Sequence, residues 1–121
     1  MTDADMELLL SQYQLGHIID LRDEIEAESA PDPEMEGVIY HHLNVWPRAV
    51  RMRNIAESTV SQWLDSALYV KNYYAAFALE PAAIAAYREM VGALLGNAEG
   101  SVLVHCVHGK DRTGVAAALI L

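Results

Sequence analysis

The sequence predicts an α/β fold, a partly parallel sheet flanked by helices, and three observations support this. Three β-rich runs, 17–22, 37–45 and 101–106, combine with stretches of helical periodicity in the order helix, strand, strand, two helices, strand, helix. The run 101–106 is apolar without alternation, as expected of a central parallel strand. The first and third runs end in polar residues, and in such sheets ligands bind beyond the carboxyl ends of the strands. We therefore expect a functional site at that edge of the sheet.

The N-terminal half predicts a helix and two strands. Apolar spacing favours a helix over 5–15, with Gly16 as its stop. The run 17–22, HIIDLR, predicts a short buried strand. The segment 23–36 holds seven acids, no base and two prolines, which predicts an exposed acidic loop. The β-branched and aromatic run 37–45 predicts the second strand.

The C-terminal half predicts two helices, a strand and a final helix. Residues 47–53 are expected to be a connector with three arginines, and apolar spacing predicts a helix over 59–79. Pro81 fits the first turn of the next helix, which Gly96 ends. After the strand 101–106 and a short loop, TGVAAALIL begins another helix.

The composition indicates one globular unit, so we expect residues 1–121 to form a single domain. A hydrophobic fraction of 53% supports a real core and argues against disorder. The formal net charge of −9 argues against non-specific binding to nucleic acid or anionic membranes. No run of about 18 or more apolar residues is present, so we expect no transmembrane helix. The N-terminal segment lacks a signal-peptide pattern, which favours a cytoplasmic location.

The chain has one cysteine, Cys106, which therefore forms no disulfide within the chain. We expect no metal centre, because CxxC and HExxH patterns are missing and the His41-His42 pair suits a strand better. No cofactor is expected either. The sequence leaves the oligomeric state open.

The stretch VHCVHGKDRTG, residues 104–114, concentrates reactive side chains between the last strand and the last helix. We call residues 106–112 the cysteine loop. A seven-residue loop can wrap a tetrahedral oxyanion with its backbone N–H groups, and the following helix adds its own free N–H groups. Gly109 permits a tight turn, and the planar fork of Arg112 matches two phosphate oxygens.

Cys106 lies where such a site lowers a thiol pKa, because a helix N-terminus and Arg112 are nearby. A thiolate is a nucleophile at neutral pH, and the loop can stabilise charge on a phosphoryl group. Thr113 can donate its hydroxyl to the sulfur. Asp111 can protonate a leaving oxygen and then activate water, and Lys110 adds a second positive charge.

HCVHGKDRTG resembles HCxxGxxR(S/T)G, the signature of cysteine-dependent protein tyrosine phosphatases. The GKDRTG version most resembles a bacterial and fungal tyrosine/lipid phosphatase branch. IIDLRDEIE resembles the IDLRxxxE segment of that branch, with Asp20, Leu21, Arg22 and Glu26 in matching places. The resemblance covers roughly residues 8–121.

The resemblance implies a tyrosine-phosphatase-like fold and hydrolysis of phosphomonoesters through a cysteinyl-phosphate intermediate. Cys106 would be the nucleophile, Arg112 the phosphate-binding residue and Asp111 the general acid. Lys110 would be consistent with phosphoinositides as substrates besides phosphotyrosine proteins, and phosphoserine or phosphothreonine is a further possible substrate. His105 would orient the loop by hydrogen bonding. The expected phosphate-binding residues are Val107, His108, Gly109, Lys110, Arg112 and Thr113, and the expected supporting residues are His105, Asp20 and Gly114.

Relatives of this kind begin earlier and continue past the signature through several helices, so we expect a chain truncated at both ends. The terminal VAAALIL would then present an apolar association surface. Two alternatives stay open. One is a rhodanese-like sulfurtransferase, whose cysteine loop is usually one residue shorter. The other is an inactive fragment that binds phosphate or associates with partners.

Several side chains outside the loop have two interpretations each. Asp20 can face the phosphate pocket, or it can bond to Arg22 or to loop backbone. Asp65 is expected to be a solvated helix residue rather than a second acid, and His108 to face solvent or substrate. Three arginines either guide an anionic substrate or form a solvated connector: Arg48, Arg51 and Arg53. Four aromatic residues are expected to lie in the core or at the rim of the site: Trp46, Trp63, Tyr73 and Tyr74.

Overall fold

The computed structural model describes residues 2–57, 66–97 and 99–121. These residues form an α/β structure in which six helices flank a three-stranded parallel sheet, which confirms the predicted fold class. None of the described helices has the length and apolar character needed to cross a membrane. In chain order the elements are α1 (Asp3–Ser11), β1 (Leu15–Asp20), α2 (Glu24–Ser29), β2 (Ile39–His42), α3 (Arg48–Glu57), α4 (Ser66–Leu79), α5 (Pro81–Gly96), β3 (Ser101–His105) and α6 (Asp111–Ile120).

The sheet has the strand order β2–β1–β3, with both pairs parallel. Asp20, the last residue of β1, lies opposite His42 of β2 and His105 of β3. The N–H of Leu21 continues the ladder by donating to the carbonyl of His105 at 3.0 Å. The chain segments that follow β1 and β3 therefore leave the sheet side by side, at the edge where the sequence predicts a site.

The core lies between one face of the sheet and helix α5. Ile19 and Leu21 pack with Ala83, Tyr87 and Met90 in one buried cluster. Burying a side chain of this size contributes about 1.5–3 kcal/mol, so the cluster anchors the sheet to α5. Cys106 belongs to the same cluster with 9% of its surface exposed, which places it at the boundary between core and site.

Two predicted boundaries in the N-terminal half are wrong by several residues. Helix α1 ends at Ser11, not at residue 15, and Gly16 lies inside β1. The chain turns at Gln14, whose φ is +48°, so that Leu15 can enter the sheet as a buried residue. Burial of Leu15 overrides the helical spacing. The second strand is also shorter than predicted, at Ile39–His42.

The predicted acidic loop contains one short helix, α2, and the predicted arginine connector is almost entirely helical. Asp23 caps α2 through a capping box with Glu26, and α3 covers most of the supposed connector. Asp23 is only 2% exposed, and its Oδ2 lies 3.0 Å from Nη1 of Arg51. Arg53 pairs with Glu80 at 2.8 Å. Arg51 of the arginine segment therefore neutralises the buried Asp23 of the acidic segment, a pairing that local composition does not reveal.

The C-terminal elements follow the prediction more closely. Helix α5 has the predicted bounds, with Pro81 in its first turn. Helix α6 begins at Asp111, two residues before the predicted start. Helix α4 confirms the described part of the predicted helix 59–79, while the part that includes Trp63 and Asp65 lies outside the described residues.

Gly100 is expected to be the glycine least tolerant of substitution. Its φ is +87°, and an added Cβ would lie 2.4 Å from the carbonyl oxygen of Gln14. That oxygen also accepts the N–H of Ser101 at 3.1 Å. We expect Gly100→Ala to lower the free energy of unfolding by about 3 kcal/mol, from left-handed strain and the backbone clash.

Urea denaturation of Gly100→Ala and Gly92→Ala measures this effect. Gly92 lies in α5, where an added Cβ meets nothing within 4 Å. Its substitution is expected to leave stability unchanged or to raise it by up to about 1 kcal/mol. Equal stability of the two variants would contradict the expected clash.

Candidate active site

The cysteine loop begins directly after β3 and ends in the first turn of α6. Gly109 has a φ of +62°, a conformation that favours glycine. This turn directs the backbone N–H groups of His108, Gly109 and Thr113 at the sulfur of Cys106. The loop therefore surrounds the sulfur with hydrogen-bond donors at a helix N-terminus, an arrangement that binds anions.

Burial of Cys106 raises the pKa of its thiol, but hydrogen bonds outweigh burial. The Thr113 hydroxyl and the N–H groups of Thr113, His108 and Gly109 favour the thiolate and lower its pKa to about 7. Among the described residues, the buried Thr113 hydroxyl has no other hydrogen-bond partner. The ionised sulfur of Cys106 accepts this hydrogen bond. Because the pKa of the thiol is about 7, a substantial fraction of it is ionised at neutral pH.

Thr113→Val is expected to raise the pKa of the Cys106 thiol above its value of about 7, because it removes the largest of the stabilising hydrogen bonds. The rate of alkylation by iodoacetamide, followed against pH, rises as the thiolate forms and therefore reports this pKa. Thr113→Ser keeps the hydroxyl and is the matched control. An unchanged midpoint in Thr113→Val would show that the hydroxyl does not stabilise the thiolate.

Arg112, the second residue of α6, is held by a carboxylate from α2. Its Nη1 lies 2.5 Å from Oε2 of Glu26, and its Nη2 lies 3.0 Å from Oε1. Nη1 also donates to the carbonyl of Leu21 at 3.5 Å. The guanidinium has five N–H donors, and among the described residues Nε–H and the second proton of Nη2 have no hydrogen-bond partner, so both can bind a ligand. These two lie on one edge, and that edge matches two oxygens of a phosphate group.

Burial and ion pairing shift the pKa values of Arg112 and Glu26 in opposite directions. Burial lowers the pKa of Arg112, but the hydrogen bonds that it donates to Glu26 raise it, with a net rise. For Glu26, burial raises the pKa, while hydrogen bonds from Arg112 and the N–H of Asp23 lower it, with a net fall. Both groups are therefore charged, and the capping box of α2 fixes the carboxylate that orients Arg112.

Of the two arrangements predicted for Asp20, the structure shows the bond to Arg22 rather than a side chain that faces the phosphate pocket. It is fully buried and accepts from Nε and Nη2 of Arg22 at 2.8 and 2.7 Å. Burial raises the pKa of Asp20, and hydrogen bonds from Arg22 and Tyr40 lower it by more. Asp20 thus remains ionised as the centre of an ion-pair network and bonds to Arg22 rather than to a substrate.

His105 connects this network to the cysteine loop. Its Nε2 lies 2.8 Å from Oδ2 of Asp32, and its Nδ1 lies 3.2 Å from the carbonyl oxygen of Cys106. Ligand atoms of Asp20, Asp32 and His105 lie within 4.8 Å of one another, as in a metal site. Arg22 already binds both carboxylates, so the geometry supports an ion-pair network that orients His105.

A family model described as the tyrosine phosphatase family matches the chain over residues 1–121. The chain belongs to the tyrosine phosphatase family. Membership supports phosphatase activity on a phosphorylated substrate and favours this reading over the sulfurtransferase alternative. The comparison with curated proteins gave no match.

The other predicted site residues of this tyrosine phosphatase are exposed to solvent. Val107 and His108 are exposed. The Lys110 side chain is 78% exposed, with Nζ 3.9 Å from Oδ1 of Asp111. Gly114 is exposed within α6, where its N–H donates to the carbonyl of Lys110 at 2.9 Å. The structure thus brings cationic and acidic groups to the mouth of the cysteine loop.

Two residues of the tyrosine phosphatase site have contacts that the sequence did not predict. The IDLRxxxE resemblance includes Glu26 but does not predict its contact with Arg112, although the D-x-x-E pattern at 23–26 is a capping-box signal for a helix. Tyr74 was expected to be core or rim, and its hydroxyl donates to Asp111. No local pattern predicts this contact, because the two residues lie on different helices.

Proposed function

We propose that this chain hydrolyses phosphotyrosine esters through a cysteinyl-phosphate intermediate. The observation that carries the proposal is the cysteine loop itself. A thiol with a pKa of about 7 lies among inward backbone N–H groups, in a loop that ends at an arginine with a free donor edge. Nucleophilic attack on phosphorus needs this combination of thiolate and fixed positive charge.

In the first proposed step the sulfur of Cys106 attacks phosphorus, and the bond between phosphorus and the aryl oxygen breaks. Asp111 donates its proton to the departing oxygen. In the second step water attacks the phosphorus of the cysteinyl phosphate, and the Asp111 carboxylate takes its proton. The phosphorus–sulfur bond breaks, which releases inorganic phosphate and restores the thiolate.

Arg112 stabilises the transition states of both steps. Its free edge offers two N–H donors to equatorial phosphoryl oxygens, while Glu26 holds the opposite edge. The loop N–H groups offer further donors that need no reorganisation during the reaction. Thr113 stabilises the sulfur as a leaving group in the second step, because its hydroxyl favours the thiolate.

The substrate range is the finer part of the proposal. Lys110 is exposed at the mouth of the loop and adds a charge that supports phosphoinositides as substrates. The open surroundings of the loop, with Val107 and His108 exposed, support acceptance of phosphoserine and phosphothreonine as well. The proposal includes a cytoplasmic location and a single domain.

Release of inorganic phosphate from a phosphotyrosine peptide, a phosphoserine peptide and a phosphoinositide tests the proposal. Cys106→Ser serves as the control. We expect vanadate-sensitive turnover of the phosphotyrosine peptide by the native chain. Absence of turnover by the folded chain would contradict the proposal and support the inactive alternative. Thiosulfate-dependent thiocyanate formation without phosphate release would support the sulfurtransferase alternative.

A further inference from the structure

Helix α4 packs against α6 and brings an aromatic hydroxyl to the predicted general acid. The hydroxyl of Tyr74 donates a hydrogen bond to Oδ1 of Asp111. Nζ of Lys110 approaches the same oxygen at 3.9 Å. Within the described part of the chain, no hydrogen bond reaches Oδ2 of Asp111. The two oxygens of this carboxyl group are therefore not equivalent.

The ring of Tyr74 is held by aromatic neighbours. Tyr73 and Phe77 lie edge-on to it, with centroids 6.3 and 6.2 Å away. Phe77 is fully buried, so this contact fixes the ring against the core. Tyr74 itself is 38% exposed, which places its hydroxyl at the surface beside the cysteine loop.

The hydroxyl of Tyr74 is a donor throughout the reaction. Its hydrogen bond to Asp111 raises the pKa of Tyr74 above its usual value of 10.0, so the phenol stays protonated at neutral pH. Because Oδ1 of Asp111 already accepts this hydrogen bond, an added proton is less favourable on Oδ1 than on Oδ2. The proton that Asp111 transfers therefore resides on Oδ2, both when it is given to the leaving oxygen and when it is taken from water.

We propose that Tyr74 is a positioning residue, which fixes the Asp111 carboxyl group so that Oδ2 carries the transferred proton. This inference rests on the proposed function, because it assigns Asp111 the part of general acid. Tyr74 contacts neither the sulfur nor Arg112 through any described hydrogen bond, so its effect passes through Asp111.

Tyr74→Phe, assayed with two aryl phosphates, tests the role. Phenyl phosphate has a basic leaving oxygen that needs a proton, whereas p-nitrophenyl phosphate has a weakly basic one. Because a general acid contributes about 10²–10⁴-fold, loss of its positioning is expected to lower kcat/KM for phenyl phosphate about tenfold. The value for p-nitrophenyl phosphate is expected to stay within about twofold, because little proton transfer is needed.

Two controls separate positioning from folding. Tyr13→Phe removes a hydroxyl from an exposed ring that borders a groove with Leu9 and Leu103. This substitution is expected to leave kcat/KM unchanged for both aryl phosphates. In an Asp111→Asn background, Tyr74→Phe is expected to cause no further loss, because the two residues act as one unit.

Each result has a defined meaning. An equal loss with both substrates would assign Tyr74 a structural role and overturn the proposal. A further tenfold loss in the Asp111→Asn background would also overturn it. Unchanged kinetics in Tyr74→Phe would overturn the role of Tyr74 alone, while the native chain stays active. A native chain inactive on both esters would overturn the proposed function, and the role of Tyr74 with it.

Discussion

Cys106→Ser is expected to reduce turnover of aryl phosphates by at least about 10⁴-fold, the scale on which loss of a nucleophile acts. A serine hydroxyl is not ionised at neutral pH, and the hydrogen bonds that lower the thiol pKa to about 7 cannot make it a comparable nucleophile. Release of inorganic phosphate from p-nitrophenyl phosphate and from a phosphotyrosine peptide measures the loss.

Binding is expected to survive this substitution, since the loop N–H groups and Arg112 remain. Calorimetric titration with tungstate, a phosphate analogue, checks that the oxyanion cradle of the serine variant is intact. Thermal unfolding checks that the variant folds as the native chain does. Robust turnover by a folded Cys106→Ser protein would exclude the cysteinyl-phosphate mechanism.

Arg112→Lys is expected to lower kcat/KM by about 10²–10³-fold, the usual cost of one lost oxyanion donor. The guanidinium uses one edge for Glu26, and the proposed mechanism needs another edge for phosphate. A lysine ammonium is a point charge on a flexible stem, so it cannot hold both partners in a fixed fork geometry. The positive charge is kept, and the loss therefore measures geometry rather than charge.

Arg53→Lys provides the matched control. Arg53 also binds a carboxylate with its guanidinium, that of Glu80, but this pair is exposed and joins α3 to the N-cap of α5. Exposed pairs contribute about 0–1 kcal/mol, so its replacement is expected to leave kcat/KM unchanged. Steady-state kinetics of both variants with p-nitrophenyl phosphate makes the comparison. Equal activity of Arg112→Lys and the native chain would show that the forked geometry is not needed.

The acidic segment 23–36 shows where prediction from the sequence reaches its limit. Seven acids without a base predict solvent exposure, yet Asp23 is buried against Arg51 and Glu26 holds Arg112. Composition describes a segment alone, whereas burial of a charge depends on an opposite charge from elsewhere. Arg112, which lies 86 positions further along the chain, supplies that charge for Glu26. No local sequence pattern encodes a contact over such a distance.

The sequence by itself determined the chemistry of the cysteine loop. The proposed nucleophile, cation and acid and the glycine at the turn all lie within 106–112, so their approximate placement follows from one strand–loop–helix connection. The strand before the loop and the helix after it were predictable for the same reason. The relative positions of residues in a short contiguous motif can be predicted, because few backbone conformations connect the preceding strand to the following helix.

Only the tertiary structure decided how that chemistry is held. It placed Glu26 on one edge of Arg112, bound Asp20 to Arg22, and brought the Tyr74 hydroxyl to Asp111. Each contact joins side chains whose orientation depends on packing, and two of them join separate helices. Local periodicity records which face of a helix is apolar, but the docking of one element on another selects the residues that meet.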